Sequence, residues 1–298
     1  MWGLAYRLTG SSADADDVVQ EAFARLLERP PPAGQPLRPW LLRVALHLAI
    51  DALRRRRRRV YPGPWLPAPA ERGDEDWLDA FASPAPDAEL RYGLLESASA
   101  AFLVALEALG PRERAVLLLR DALGWSAAET GALLGIREGN ARVIHLRARR
   151  ALESYDRARC VPTPELRARH REVLERFLAA LVAQDARAVE ALLAESAATT
   201  TDAGGAFTAL AAPLSGRARV ARFYLQATLM RRESAPGIEV RNDVNGLPAA
   251  LIRLRRPVRR QAPHSVLQLE LDAHGRIAAI RTVLAPAKLG AVHFEAEL

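Results

Sequence analysis

The sequence contains a single cysteine, Cys160, among 298 residues. One thiol excludes an internal disulfide, so a disulfide-stapled secreted domain is ruled out and a reducing cytoplasm is favoured. No apolar run approaches the ~20 residues that cross a membrane, since the most apolar stretch, LLRVALHLAI, carries Arg43 and His47. The N-terminal MWGLAYRLTG also lacks the basic segment and apolar core of a signal peptide. We therefore expect a cytoplasmic protein.

Lysine is almost absent too: Lys288 is the only one, and arginine supplies the other basic residues. The 42 Lys and Arg exceed the 35 Asp and Glu, which gives a formal net charge of +7. A basic excess favours a nucleic acid or another polyanion as partner. Hydrophobic residues make up 50% of the chain, enough for packed cores, and the length indicates about two or three domains.

Changes in composition divide the chain into four predicted segments, with boundaries at 1–60, 61–90, 91–160 and 165–298. The first and third segments have helical periodicity, and the second is a linker rich in Pro, Gly and Asp. The last segment is helical to Glu195 and then alternates, in GIEVRND, AALIRLRR, SVLQLELD and RIAAIRTVL, around NG and HG turns. We expect a multidomain fold with two all-α domains followed by a C-terminal α+β domain.

Two helices are predicted in the first segment. Ser11 or Ser12 caps SSADADDVVQEAFARLLER, whose aspartates complement the helix dipole in its first turns. The predicted apolar face of this helix consists of Val18, Ala22, Phe23, Leu26 and Leu27. The predicted apolar stripe of the second helix, LRPWLLRVALHLAIDALRRRRRR, consists of Trp40, Leu41, Val44, Leu48 and Leu53.

The stretch GWSAAETGALLGIREGNARVIHLRARRALES predicts a helix-turn-helix. Ser126 and Glu129 form a capping box that begins one helix, and Gly135 supplies the left-handed turn after it. The second helix, from about Arg137 to Glu153, has a thin buried stripe of Ala141, Ile144, Ala148 and Leu152. The residues off that stripe are Arg137, Asn140, Arg142, Val143 and Arg147. Because Arg and Asn read guanine and adenine edges, we interpret this face as DNA-binding; an ordinary helical hairpin with a solvated basic face is the alternative.

A second basic site is predicted where an arginine run ends the amphipathic helix of the first segment. Aromatic and basic groups together suit a surface on which separated DNA bases stack while arginines hold phosphates. The candidate residues are Trp40, Arg43, His47, Arg54, Arg55, Arg56, Arg57 and Arg58. A solvated tail or a nonspecific phosphate binder is the alternative. The run precedes YPGPWLP, whose prolines exclude a helix and leave Trp65 and Leu66 in an extended segment.

Together these segments resemble an extracytoplasmic-function (ECF) sigma factor. AYRLTGSSADADDVVQEAFARLL and PLRPWLLRVALHLAIDALRRRRRR are similar to its promoter-melting domain, and LEALGPRERAVLLLRDALGWSAAETGALLGIREGNARVIHLRARRALE is similar to its promoter-upstream-reading domain. YPGPWLP (61–67), DAGGA (202–206) and APAKL (285–289) resemble motifs of the subgroup with a fused SnoaL-like, nuclear-transport-factor-like cone domain. The sequence departs from the subgroup's DGGGK-like and NPDKL-like patterns at Ala206, Ala285 and Ala287.

The resemblance implies a protein that binds core RNA polymerase and directs transcription initiation at specific promoter DNA, modulated by its own C-terminal domain. Its residues for docking on the clamp helices of the largest polymerase subunit would be Asp16, Asp17, Gln20 and Glu21. The helix from Trp40 to Arg59 would hold the melted −10 element, and the helix-turn-helix would read the −35 element. The expected regulatory contact comprises Trp65, Leu66, Asp202, Gly204, Gly205 and Lys288. A small molecule or an anti-sigma protein is a further candidate partner at the C-terminal domain.

Two other function classes remain open at this point. A ligand-responsive helix-turn-helix regulator would leave residues 1–59 without a role. An isomerase-like or cyclase-like enzyme would place catalysis in the C-terminal domain, whose candidate polar groups are Asp202, His264, Glu270, Asp272 and His274. No pair of these has the spacing of a metal site or of a nucleophile and its base. We therefore predict no catalytic residue, no metal and no cofactor.

Overall fold

The computed structural model describes residues 1–71, 96–156 and 163–294. By their internal contacts the described residues form two compact units, one of 1–60 with 96–156 and one of 61–71 with 163–294. The start of the predicted linker therefore groups with the C-terminal domain. The rest of that linker, residues 72–90, and Cys160 lie outside the described residues. Within the described ranges, no helix has both the length and the apolar character needed to cross a membrane.

The first unit begins with three helices, α1 (Trp2–Thr9), α2 (Ser12–Glu28) and α3 (Leu37–Arg58). The predicted cap is confirmed at Ser11, whose side chain accepts a hydrogen bond from the Asp14 N–H at 3.1 Å. This bond satisfies one of the backbone donors that a helix leaves unpaired at its N-terminus.

The predicted apolar faces of α2 and α3 were partly wrong. On α2, Val18 and Ala22 are buried, but Phe23 is exposed and Leu27 is 86% exposed. On α3, Trp40, Leu41, Val44 and Leu48 are only half-buried, and the buried stripe is Leu42, Ala45, Leu46, Ala49, Ile50, Ala52 and Leu53. A leucine-rich helix supports more than one apolar phase, and small alanines on one face decided which phase packs closely.

The remaining described helices of the first unit follow residue 95. They are α4 (Ala100–Ala105), α5 (Pro111–Leu117), α6 (Ala127–Leu134), α7 (Glu138–Ala151) and α8 (Glu153–Asp156). A 3₁₀ turn, Leu106–Ala108, follows α4, and a π-helical turn, Leu118–Ala122, extends α5. The predicted helix-turn-helix corresponds to α6 and α7.

The second unit is an α+β domain, which confirms the predicted fold class. Its helices are α9 (Pro164–Val182), α10 (Ala186–Leu192) and α11 (Arg217–Arg231). Its strands are β1 (Leu193–Asp202), β2 (Leu214–Ser215), β3 (Pro236–Val244), β4 (Leu247–Leu254), β5 (His264–Leu271) and β6 (Ile277–Val283). They form one sheet in the order β2-β1-β6-β5-β4-β3, in which β1 and β6 run parallel and the other pairs are antiparallel.

The four strands predicted from alternation are β3 to β6. The NG turn between β3 and β4 is confirmed, with Asn245 at φ 54° and Gly246 at φ 78°, the positive values that a tight hairpin requires. The helix predicted through Glu195 ends instead at Leu192, and β1 begins at the next residue. LAESAATTTD starts with alanines typical of a helix, but pairing with β6 overrides that local preference.

The core of the second unit lies between the helices and the sheet. Phe177 of α9 and Tyr224 of α11 meet edge to face, with ring centroids 5.6 Å apart. His170 of α9 is also buried, and neither ring nitrogen has a hydrogen-bond partner among the described residues. Burial lowers the pKa of His170 to about 4, despite the opposing charge of Glu270.

His170 predicts a loss of stability in mild acid. Its folded pKa lies below its ordinary value of 6.5, so the unfolded chain binds the proton more readily as the pH falls through this window. The difference in unfolding free energy between His170→Leu and the unmodified protein should therefore shift in favour of the variant as the pH falls from about 7 to about 4. The expected shift is on the order of 3 kcal/mol. Denaturant unfolding across that range measures the difference. His274→Leu, at an exposed turn, is the control, and a difference for His170→Leu that stays constant with pH would contradict the prediction.

Candidate nucleic-acid interface and linker contact

The helix-turn-helix is built as its sequence predicts. Ser126 Oγ accepts from the Glu129 N–H at 3.1 Å, and Glu129 Oε2 accepts from the Ser126 N–H at 2.8 Å. Both bonds of the capping box are therefore present and begin α6. Gly135 ends α6 at φ 66°, in the left-handed region, and the chain then enters α7 after Arg137.

One face of α7 packs against the domain and the other is exposed. Ala141 and Ala148 are fully buried, and Leu152 is buried just beyond the helix. The small side chains of Ala141 and Ala148 let α7 lie close to its neighbours, whereas Ile144, predicted in the same buried stripe, is only half-buried. The exposed residues are the ones predicted to read DNA, Arg137, Asn140, Arg142, Val143 and Arg147. Arg142 forms an ion pair with Glu138 one turn earlier, so its guanidinium is already held along the helix surface.

An acidic residue, Asp121, binds two side chains of α7. Asp121, in the π-helical turn, contacts His145 Nε2 through Oδ1 at 2.6 Å and Arg149 Nε through Oδ2 at 2.9 Å. These two side chains are thus held against the protein. Sequence reasoning missed this anchor because a π-helical turn has no simple residue signature.

The predicted −10 surface on α3 is partly exposed. Arg43 and His47 point outward, and Trp40 is half-buried. Farther along, Arg54, Arg55 and Arg58 are exposed, and Arg54 pairs with Asp51 at 2.8 Å. These positions retain access for bases or phosphates.

Arg56 and Arg57 are instead used inside the first unit. Arg56 Nη2 donates to both carboxylate oxygens of Glu107, at 2.6 and 2.8 Å, and the Arg56 side chain is 17% exposed. Arg57 donates to the backbone carbonyls of Glu107 and Leu109. The expectation that the whole run lies along phosphates is therefore corrected for these two residues in the free chain. Consecutive helical residues point in different directions, so an unbroken run cannot face one partner.

Arg114 of α5 completes this network. It is fully buried and donates to the carbonyls of Leu8 at 2.9 Å and Leu106 at 2.6 Å and to Glu107 Oε1 at 2.7 Å. Burial lowers the pKa of Arg114 to about 10, and the charge of Glu107 opposes this shift. Burial also acts to raise the pKa of Glu107, but the charges of Arg114 and Arg56 outweigh it and keep that pKa below its ordinary value.

The predicted polymerase-binding residues share an exposed part of α2. Asp16, Asp17, Gln20 and Glu21 all face solvent, and Asp16 accepts a 2.6 Å hydrogen bond from the indole of Trp2. A groove of about 550 Å³ between α2 and α3 is lined by Asp17, Gln20 and Glu21 on one side and by Leu48, Ala52 and Arg55 on the other. The groove holds charges of both signs, because Arg55 and Arg25, which pairs with Glu21 at 2.8 Å, line it together with Asp14 and Asp17.

Asp202, the last residue of β1, anchors the chain segment that precedes the second unit's helices in sequence. We call residues 61–71 the linker segment. Asp202 is fully buried, and its Oδ1 accepts from the Tyr61 hydroxyl at 2.6 Å and the Gly204 N–H at 3.0 Å. Its Oδ2 accepts from the Leu66 N–H at 2.8 Å and Lys288 Nζ at 2.6 Å. One carboxylate thus receives four donors, two of them from the linker segment.

Lys288 holds the same segment from the other side. Its ammonium donates to the Leu66 carbonyl at 2.5 Å and lies over the rings of Trp65 and Tyr61, 4.3 and 4.6 Å from their centroids. Such cation–π contacts strengthen when the cation is desolvated, as it is here. The predicted contact of Trp65 and Leu66 with Lys288 is therefore present, and Leu66 is buried.

Two glycines leave room for the linker segment. Gly204 and Gly205 have φ values of 55° and 78°, in the left-handed region. A Cβ on Gly205 would stand 3.0 Å from Pro62 Cγ, and one on Gly204 would stand 3.3 Å from the Tyr61 hydroxyl. The DAGGA loop therefore needs glycine here both for its backbone conformation and for the close approach of the linker segment.

A second anchor holds the far end of the linker segment. The Asn245 N–H donates to the Ala70 carbonyl at 2.9 Å, and Asn245 Oδ1 accepts from the Ala70 N–H at 3.2 Å. The Glu71 N–H donates to the Ala291 carbonyl at 2.9 Å. Sequence reasoning missed Asn245, because its NG dipeptide is fully explained as a hairpin turn.

The remaining polar candidates of the C-terminal domain have structural roles or stand apart. Asp272 accepts from the His274 and Arg276 N–H groups, both at 2.9 Å, and so fixes the HG turn. Glu270 pairs with Arg281 at 2.5 Å. His264 contacts Phe294 at a tilt, with ring centroids 4.5 Å apart and ring planes 40° apart. Across the described ranges, no group of three or more His, Cys, Asp or Glu is placed to hold a metal ion.

Comparison with known proteins connects these features. Family models for Sigma-70 region 2 and Sigma-70 region 4 match residues 1–59 and 99–152. The chain is 35% identical over 227 residues to the ECF RNA polymerase sigma factor SigJ of Mycobacterium tuberculosis, covering 76% of this chain and 69% of SigJ. It is 29% identical over 297 residues to the probable ECF sigma factor SigI of that organism, covering 98% and 92%.

The crystal structure of Mycobacterium tuberculosis SigJ is similar to this one, with a TM-score of 0.72 and 29% identity over 97% of this chain and 94% of SigJ. That match extends through the C-terminal α+β domain, beyond the segments that the two family models cover. The helix-turn-helix, the exposed basic residues of α3 and these similarities together show that the chain belongs to the ECF RNA polymerase sigma factors.

Proposed function

We propose that three separate surfaces of this sigma factor bind core polymerase, the −10 element and the −35 element. The acidic part of α2, with Asp16, Asp17, Gln20 and Glu21, docks on the clamp helices of core polymerase. Trp40, Arg43 and His47 on α3 hold unstacked bases of the −10 element, with Arg54, Arg55 and Arg58 on neighbouring phosphates. The exposed face of α7 reads the −35 element as duplex DNA. The carrying observation is that these residues, apart from half-buried Trp40, are exposed on the two segments that match regions 2 and 4.

Within α7, we assign Arg142 to base reading and Arg147 to a phosphate. Arg142 lies nearer the helix N-terminus, the part of a recognition helix that contacts base edges. A base-reading arginine contributes about 1–3 kcal/mol at one promoter position, whereas a phosphate contact contributes to all sequences alike. Glu138 keeps Arg142 in place until a guanine edge replaces the carboxylate as its acceptor.

We assign the C-terminal domain a regulatory role that acts through the linker segment. Asp202 and Lys288 bind that segment at a buried site, so the domain and the connection between the two DNA-binding segments share one set of contacts. Docking or release of the segment would then alter promoter engagement. A catalytic role for the domain has no comparable support, because its polar candidates form no nucleophile–base arrangement.

Charge reversal on α2 tests polymerase docking. We expect Asp17→Arg with Glu21→Arg to slow association with core polymerase at least about tenfold, because complementary surface charge steers encounter. Surface-captured core polymerase, titrated with each protein, measures this rate. Glu165→Arg with Glu172→Arg, at two exposed positions of α9, is the matched control, since it makes the same change in net charge elsewhere. Equal rates for the two double variants would refute the assignment, and run-off transcription should fall in parallel with binding.

A further inference from the structure

The C-terminal domain encloses a cavity of about 440 Å³. That volume is in the range of small-molecule sites, which run from roughly 300 to 1,000 Å³. The cavity lies among the ends of β1 and β6, the second half of α11 and the loop between β4 and β5. Its walls are largely apolar and include Leu210, Phe223, Ala227 and Leu284.

Most polar groups in the wall are already hydrogen-bonded within the protein. The Tyr224 hydroxyl lies 2.7 Å from Thr199 Oγ1 and 3.1 Å from Thr282 Oγ1. Thr201 Oγ1 accepts from the Leu210 N–H at 2.8 Å, and Gln261 Oε1 accepts from the Ser234 hydroxyl at 2.7 Å. These groups shape the cavity, and each already uses part of its hydrogen-bonding capacity within the protein.

Arg231 differs from them. It lies at the end of α11, lines the cavity and is half-buried, yet no carboxylate pairs with it among the described residues. Burial lowers the pKa of Arg231, and only Tyr224 opposes that shift. A guanidinium keeps its charge in proteins and has only hydrogen-bond donors. One that is partly withdrawn from water without a counter-ion is therefore a binding site for an anion.

The mouth of the cavity is also apolar and basic. Met230 and Val258 are 75% and 62% exposed, and Arg259 and Arg260 are exposed beside them. Large apolar side chains exposed together at a cavity commonly mark a binding site. The Thr208 N–H donates to the Arg260 carbonyl at 3.0 Å, which ties the two loops at the mouth together.

We propose that this cavity binds an amphipathic anion, with an apolar body against the walls and a single carboxylate or phosphate head group on Arg231. The size of the cavity, its apolar lining and the half-buried guanidinium of Arg231 each specify a part of that ligand. The inference concerns a binding site of the C-terminal domain and does not depend on the roles assigned to α2, α3 and α7.

Calorimetric titration of the full chain tests the proposal. The probes are dodecanoate and dodecyl phosphate, each below its critical micelle concentration, together with dodecanol and dodecyltrimethylammonium as probes without an anionic head. We expect one site per chain for at least one anion, and weaker binding of the neutral and cationic probes. The tighter anion identifies the head group. Arg231→Gln should weaken the bound anion at least about tenfold, because a charge-assisted hydrogen bond contributes that much.

Two further variants separate charge from packing. Arg232→Gln, at the exposed neighbour, is the matched control and should leave binding unchanged. Ala227→Phe should fill the cavity and weaken all chain-bearing probes without changing a charge. If circular dichroism shows that Arg231→Gln does not fold, Ala227→Phe and the comparison of head groups decide the question. The proposal is overturned if neither anion binds, if the anions bind folded Arg231→Gln undiminished, or if Ala227→Phe leaves binding intact and so places the probes on the outer surface.

Discussion

Asp202→Asn should release the linker segment from the C-terminal domain. Each carboxylate oxygen of Asp202 accepts hydrogen bonds from two donors. In either orientation of an asparagine side chain, its NH₂ group, itself a donor, would replace one of these oxygens and face two donors. The substitution also leaves buried Lys288 without a counter-charge. Breaking a buried pair of this kind costs about 3–5 kcal/mol. Limited proteolysis should therefore cut within residues 61–71 much faster than in the unmodified protein.

Glu195→Gln is the matched control for this experiment. It removes a carboxylate from the same strand, β1, but Glu195 is largely exposed and pairs only with Arg217 at the surface. Cleavage of the control should match the unmodified chain. The proposed regulatory role also requires run-off transcription by Asp202→Asn with core polymerase to differ from that of the control. If the linker segment is released but the transcript level is unchanged, the contact is structural only and the role is wrong.

Arg114→Met should produce a comparable loss in the first unit. Methionine fills much of the same space but leaves the Leu8 and Leu106 carbonyls without the donor that Arg114 supplies, and Glu107 Oε1 keeps only its hydrogen bond from Arg56. The expected cost is again about 3–5 kcal/mol, because two buried carbonyls lose their donor and Glu107 loses one of its two cationic partners. Since Leu8 belongs to α1 and Arg114 to α5, the contact between these two helices should weaken most.

Hydrogen–deuterium exchange measures this effect at peptides from α1 and α5. Arg112→Met, on the exposed side of the same helix, removes an equal charge and should leave exchange unchanged. Faster exchange confined to α5, with α1 unaffected, would contradict the tie through Leu8. In Arg114→Met, Glu107 still pairs with Arg56. In a Glu107→Gln chain Arg56 would lose this carboxylate, so it should be more available to DNA phosphates there than in Arg114→Met.

The local features of the fold could be predicted because each rests on a few neighbouring residues. The capping box of Ser126 and Glu129, the turn at Gly135 and the hairpin at Asn245 all lie where the sequence places them. The four C-terminal strands follow from alternation, which has the period of a strand. The contact of the linker segment with Lys288 was reached differently, through motifs that the resemblance pairs with each other.

The features that sequence reasoning missed depend on residues far apart in the chain. Arg56 meets Glu107 and Arg114 only because α3 packs near α5, so nothing within the arginine run separates Arg56 from Arg55. The buried phase of α3 was set by what covers it, since several phases of that helix are apolar. The first three residues of β1, Leu193 to Glu195, were read as the end of a helix, and pairing with β6 makes them part of a strand instead. Nothing in the sequence distinguishes Arg231, which has no carboxylate partner in the described part of the chain, from the other arginines.

Lys288 carries the only side-chain amine in the protein, and the linker segment covers it. While that segment is docked, the amine is enclosed between Asp202, the Leu66 carbonyl and two aromatic rings, out of reach of an acylating reagent. Once the segment leaves, the same nitrogen becomes open to modification. Apart from the N-terminal amine, covalent labelling of this protein therefore counts a single event. In the purified protein its rate reports how readily the linker segment undocks, with no engineered probe.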